Sequence, residues 1–287
     1  MEYVIKNEYL KAVISSFGGE LRELIDNDGM NRMHIPNSDT WNRVSPILFP
    51  QISRMPNSEY SVHNQIYKMT THGFIRDKEL ELVTLTSDEI VFMYKSNEET
   101  LLMYPYEFVF YVGYKLNKNI LEVNFKVENP SNDVLRYMLG GHPAFKVPLF
   151  AYESFEDYIV LFENAECAKR MLVVGGYLSN KHEDYLIENR VIELKHCLFK
   201  DDALIFKNLK STYVELASRN HDKKIRFYFS DFEILAIWSK VEEKVNLLCF
   251  EPWNGIPQEF VKEHERMCVL EINPHDFASF TYKIEVI

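Results

Sequence analysis

Along most of this chain apolar and polar residues alternate with a period of two. In Ile120–Glu128, the side chains of Leu121, Val123, Phe125 and Val127 fall on one side, and Glu122, Asn124, Lys126 and Glu128 on the other. Successive side chains of an extended strand face opposite ways, so the pattern predicts a strand with one buried and one wet face. Residues 108–116 read alike and join it through Asn117-Lys118-Asn119, a plausible hairpin turn because asparagine tolerates positive φ. Further strands are predicted at 12–15, 67–71, 79–83 and 89–94, and later at 212–217, 224–229, 234–238, 246–251, 267–272 and 280–286. No long segment carries an apolar stripe at helical spacing. Residues 257–265 read as a short helix or a loop, and 175–189 as an ordered loop over a cleft or a surface excursion. So many short strands with few helices predict an all-β fold of large packed antiparallel sheets. No Gly-, Ser- or Pro-rich linker divides it, so residues 1–287 read as a single domain.

Composition narrows the picture. The 20 Phe and 17 Tyr suit a half-buried pleated surface. With 46% hydrophobic and 26% charged residues in 287, the chain can bury a large core. Its longest uncharged runs, such as 44–53 and 171–180, fall short of the roughly 18–20 residues a membrane helix needs, so no membrane partner is expected. The net charge of −11 and the absence of a basic run argue against a nucleic-acid partner. Glu2, Lys6, Glu8 and Lys11 do not form a signal-peptide layout. Cys167, Cys197, Cys249 and Cys268 form no C-x-x-C pair, so reduced thiols and a cytoplasmic location are expected.

Chemistry is signalled at three places. Gly140-Gly141-His142-Pro143 follows a strand-like segment at 134–139 and puts a histidine where the backbone bends; the plain alternative is a structural turn histidine. Glycine pairs in strand-rich chains mark turns, bulges or close backbone approaches. His72-Gly73 follows the strand at 67–71 and is weak alone. Glu251, in Cys249-Phe-Glu-Pro-Trp-Asn-Gly255, is either an edge charge or a carboxylate aimed into a cleft, with Trp253 offering a flat face to a sugar ring. Burial would raise the Glu251 pKa and a nearby imidazolium would lower it, so its ionisation stays open. Serine-hydrolase, phosphate-loop and zinc-helix motifs are missing, and His182-Glu183 and His264-Glu265 lack a second histidine at ligand spacing, so no metal is expected.

Taken in order, Trp41…Arg43…Pro46-Ile-Leu-Phe-Pro, Arg54, His72-Gly-Phe-Ile-Arg, Gly140-Gly-His-Pro-Ala-Phe, Phe199-Lys-Asp-Asp-Ala-Leu and Glu251-Pro-Trp-Asn-Gly resemble the aldose 1-epimerase (galactose mutarotase) family, in particular its LacX-related bacterial branch. The resemblance implies a β-supersandwich with an open sugar site and no required cofactor or metal. It implies Glu251 as general base and His142 as general acid, with His72 and Arg54 contacting the sugar. Of the Asp201-Asp202 doublet, Asp202 is the favoured sugar contact. Two departures bear on substrate preference: Ser53 stands where relatives often have glycine, and Ile256-Pro257-Gln258 replaces a small residue followed by Asp. The expected reaction interconverts the α and β anomers of a free aldohexose such as galactose or glucose. A hexose-6-phosphate 1-epimerase and a non-catalytic carbohydrate-binding protein are the alternatives. The expected partner is a small sugar, and either a monomer or a homodimer is compatible with the sequence.

Overall fold

A computed structural model describes residues 1–174, 177–242, 245–256 and 270–287. The hairpin read from alternation is present: Val109–Asn117 pairs antiparallel with Ile120–Glu128, with Asn117 opposite Ile120. The left-handed residue of its turn is Lys118, at φ 53°, rather than either asparagine. Most other predicted strands recur with small shifts. That at 67–71 ends at Lys68, and that at 246–251 runs on to Asn254. The segment at 267–272 is described as Leu270–Ile272, whereas 257–265 lies outside the described residues.

The fold is an all-β supersandwich, and its two layers belong, among the described residues, to one 15-stranded sheet whose continuous ladder has 13 strands, two more pairing off it. The ladder runs from Ile47–Leu48 through Leu139–Gly141, Leu247–Asn254, Ile234–Trp238 and Leu204–Lys207 to the long strand Tyr158–Val174. It continues through Tyr213–Ser218, Lys224–Tyr228, Phe277–Val286, Ile120–Glu128, Val109–Asn117 and Glu89–Lys95 to Glu81–Leu85. Tyr158–Val174 pairs with Tyr213–Ser218 along residues 158–162 and with Leu204–Lys207 at Arg170 and Met171. One strand thus belongs to both halves of the ladder. Its hairpin partner is Tyr177–Glu193, where an ordered loop or surface excursion had been expected.

Aromatic packing closes the two halves onto each other. Phe227, on Lys224–Tyr228, lies 5.5 Å from Phe250 and 6.2 Å from Phe145, on strands remote from it in the ladder. Tyr282 lies 5.3 Å from Phe227 on its own side. Phe227 is fully buried, so its removal leaves a cavity between layers that a β-sandwich fills poorly. Phe227→Ala is expected to cost about 3–5 kcal/mol in urea-induced unfolding. A three-stranded sheet of Glu2–Lys6, Leu10–Ser15 and Leu21–Asp26 adds to the structure. Among the described residues helix is confined to short pieces such as Glu98–Met103, and none is long and apolar enough to cross a membrane.

Candidate active site

Strand Leu247–Asn254 is buried along its whole length, and its alternation splits two environments. Leu248 and Phe250 join the main core between the layers. Glu251 and Trp253 line a cleft on the other face. Glu251 therefore sits mid-strand and 2% exposed, opposite Ala236 of the neighbouring strand, and is no edge charge.

Two short segments pair with this strand in a common register. Gly140 lies opposite Trp253, and Ala144 opposite Cys249. Position 142, midway between them, consequently falls opposite position 251. The glycines permit the approach: a Cβ on Gly140 would lie 2.8 Å from the Pro252 carbonyl oxygen, and one on Gly141 2.9 Å from the Tyr282 ring. His142 Nε2 stands 3.2 Å from Glu251 Oε1, and both side chains are buried.

His72 comes from the turn after Gln65–Lys68, at φ 65°. The Ser53 backbone N–H donates to His72 Nδ1 at 3.1 Å, and the His72 N–H donates to the Ser53 carbonyl at 3.0 Å. With Nδ1 accepting, a neutral His72 carries its proton on Nε2. Its ring meets His142 edge-on at 5.7 Å. Ser53 itself has φ 63°, a conformation that glycine adopts without steric cost. That gives the departure at this position a physical meaning.

All six residues singled out from the sequence, Glu251, His142, His72, Arg54, Asp202 and Trp253, line one cleft of about 500 Å³. Of the aspartate doublet, Asp202 lines it; Asp201 does not, and lies 3.9 Å from Lys200. Trp41 and Arg76, which the motif series includes without a role, also line it, as do Trp238 and Lys240, which sequence reasoning had not marked. A signal existed for the tryptophans. The chain has 3, and all of them border this cleft.

The electrostatics follow from dryness. Burial pushes the Glu251 carboxyl well above the usual carboxylate range, and the charge of Asp202 adds to the rise. Trp253 slightly offsets it, although its indole N–H makes no well-formed hydrogen bond among the described residues. Burial pushes the His142 imidazole down to about 3 against the opposing pull of its own backbone carbonyl, and Arg76 and Arg43 add to the fall. His72 is held well below the ordinary imidazole value, first by burial and then by His142, Arg76 and Arg43. The ionisation left open by the sequence is thereby given a direction. Burial therefore favours the neutral form of each group, a protonated Glu251 carboxyl beside an uncharged His142 imidazole.

Such a cleft, with a carboxyl and an imidazole in contact and a wall of indoles and polar side chains, suits a small polyhydroxylated ring. The family model for aldose 1-epimerase matches residues 1–268. The chain belongs to this family, an isomerase family acting on carbohydrates. It is 30% identical over 299 residues to the chromosomal LacX protein of Lactococcus lactis subsp. lactis, with 100% of both chains covered. It also resembles the galactose mutarotase related enzyme of Lactobacillus acidophilus, at 29% identity and a TM-score of 0.95, covering 100% of this chain and 97% of that one. A galactose mutarotase-like protein from Lactobacillus casei is 29% identical, with a TM-score of 0.93 and 100% of both chains covered.

Proposed function

We propose that this protein is a mutarotase that interconverts the anomers of a free aldohexose such as galactose or glucose, with Glu251 and His142 as the proton-transfer pair. The observation that carries this reading is their 3.2 Å opposition inside a cleft that Trp253, His72, Arg54 and Asp202 also line. Sugar hydroxyls donating to Glu251 favour its charged form, so substrate binding passes the shared proton to His142. The carboxylate then removes the C1 hydroxyl proton, the C1–O5 bond breaks, and O5 takes the proton from the imidazolium. The open aldehyde turns about its C1–C2 bond, and closure on the other face returns both protons. His72 Nε2–H donates to the ring oxygen or an adjacent hydroxyl, while Arg54 and Asp202 hold outer hydroxyls.

The test is anomeric exchange of galactose, glucose and other common aldoses, followed by NMR or polarimetry. A protein that accelerates none of them above the spontaneous rate overturns the proposal. Saturable sugar binding without acceleration would instead favour a non-catalytic carbohydrate-binding protein. The hexose 6-phosphate reading has one observation in its favour, the exposed Arg54 at the cleft. Arg43, by contrast, is paired with Asp77 at 2.5 Å. A higher kcat/KM for glucose 6-phosphate than for glucose would decide for it.

The pair works only while it holds one proton, which fixes the pH dependence. Below about 3 a second proton occupies His142 and no base remains, so activity falls as pH drops through that region. As pH rises past the elevated Glu251 value, the remaining proton is lost and activity falls for want of an acid. The expected kcat/KM profile is a bell whose acid limb lies well below the ordinary imidazole value. An acid limb near about 6.5, where free imidazole titrates, would contradict this.

A further inference from the structure

We propose that Trp41 and Trp238 are positioning residues for His142, forming a dry aromatic box that holds the imidazole against Glu251 where no well-formed hydrogen bond orients its second nitrogen. The proposal rests on the reading of His142 as the proton-transfer partner of Glu251. A catalytic histidine is commonly oriented by a carboxylate or carbonyl on its second ring nitrogen. Here Nδ1 of His142 is buried and has no well-formed hydrogen-bond partner among the described residues; it meets only its own backbone, in poor geometry. Rings surround it instead. Trp41 lies 5.1 Å away at an interplanar angle of 32°, Trp238 lies 5.8 Å away at 78°, and His72 closes a third side edge-on. The two indoles also touch each other, with centroids 5.8 Å apart.

The two walls differ in kind. Trp238 ends strand Ile234–Trp238 and lies opposite Cys249 on the strand that carries Glu251, so it moves only with the sheet. Trp41 stands outside the strands. Its carbonyl accepts the Asn37 N–H at 2.9 Å and lies 3.0 Å from His34 Nε2. The Lys240 ammonium donates to the adjacent Thr40 carbonyl, tying this segment to the residues just beyond Trp238. Offset and edge-on ring contacts of this kind are favourable beyond the area they bury. They exclude water as well as fix the ring plane.

Among the described residues, the charged and titratable groups around His142 are Glu251 on the facing strand Leu247–Asn254, His72, and Arg76 and Arg43, with Asp202 acting on Glu251. Removing an indole changes none of these. It admits water to the imidazole, and the dryness that depresses His142 is lost.

The experiment compares Trp41→Ala and Trp41→Phe in the full chain, with the His142 ring followed by NMR through a pH titration and its signal assigned from its loss in His142→Asn. In wild type and Trp41→Phe the ring is expected to titrate near 3. In Trp41→Ala its midpoint should rise by at least one pH unit, with the acid limb of kcat/KM moving the same way and kcat at neutral pH falling about tenfold at nearly constant KM. A folded Trp41→Ala protein whose His142 still titrates near 3 overturns the proposal. So does an equal kcat loss in Trp41→Phe. The titration needs no turnover, so a wild-type protein without anomerase activity would count against the proposed function and leave the box to be decided by the NMR shift alone.

Discussion

Glu251→Gln should lower the rate of anomeric exchange by about 10²–10⁴-fold while leaving sugar binding within a few-fold of wild type. The amide keeps the shape and still reaches His142, so the buried strand is not asked to accommodate a new volume. It has no basic oxygen able to remove the C1 proton, and that loss is felt only as the ring opens. The effect should therefore appear in kcat. Binding is measurable independently, because the chain's 3 tryptophans all border the cleft and their fluorescence reports on its occupancy. A Glu251→Gln enzyme that retains more than about a tenth of wild-type kcat would remove the carboxylate from the chemistry.

The second large effect is structural. Gly73→Ala should destabilise the protein by about 3 kcal/mol or more. Gly73 has φ 73°, and a Cβ placed there would stand 2.2 Å from the Phe49 carbonyl oxygen and 2.7 Å from the Pro50 nitrogen. Both are backbone atoms that no rotamer change can move aside. The same carbonyl accepts the N–H groups of Phe74 at 3.0 Å and Ile75 at 3.2 Å, so relieving the clash breaks two buried hydrogen bonds. Gly29→Ala is the natural control, since Gly29 has φ 76° with nothing within 4 Å of its would-be Cβ. That variant bears only the conformational penalty, about 1–2 kcal/mol. Equal losses for the two in urea unfolding would show that the steric term is absent. Because Gly73 adjoins His72, the damaged variant should also lose activity beyond its unfolded fraction.

What the sequence made legible follows from what each signal encodes. Alternation identified the strands with one wet face, such as Ile120–Glu128, because the pleat imposes the pattern directly. It failed for Tyr158–Val174 and Tyr177–Glu193, whose register is broken by several irregularities and whose polar residues fall on both faces. The helix Glu98–Met103 was missed although Asn97 and Thr100 form a capping box, a signal independent of any apolar stripe. At the cleft, the motifs named the residues. The strand neighbours that bring them together are separated by about a hundred positions, and nothing local in either segment records the pairing. Trp41 entered the motif series without a role and Trp238 was unmarked, because an indole in a strand-rich chain reads first as core.

The common register of residues 140–144 against Leu247–Asn254 has a consequence for how this architecture diversifies. The spacing of Glu251 and His142, the pair proposed to transfer protons, is inherited from the separation of adjacent strands, about 4.7–4.9 Å, and not from any loop. Insertions around the rim can remodel which sugar enters while the proton-transfer distance stays fixed by main-chain geometry, so specificity and chemistry are free to evolve on separate parts of the polypeptide.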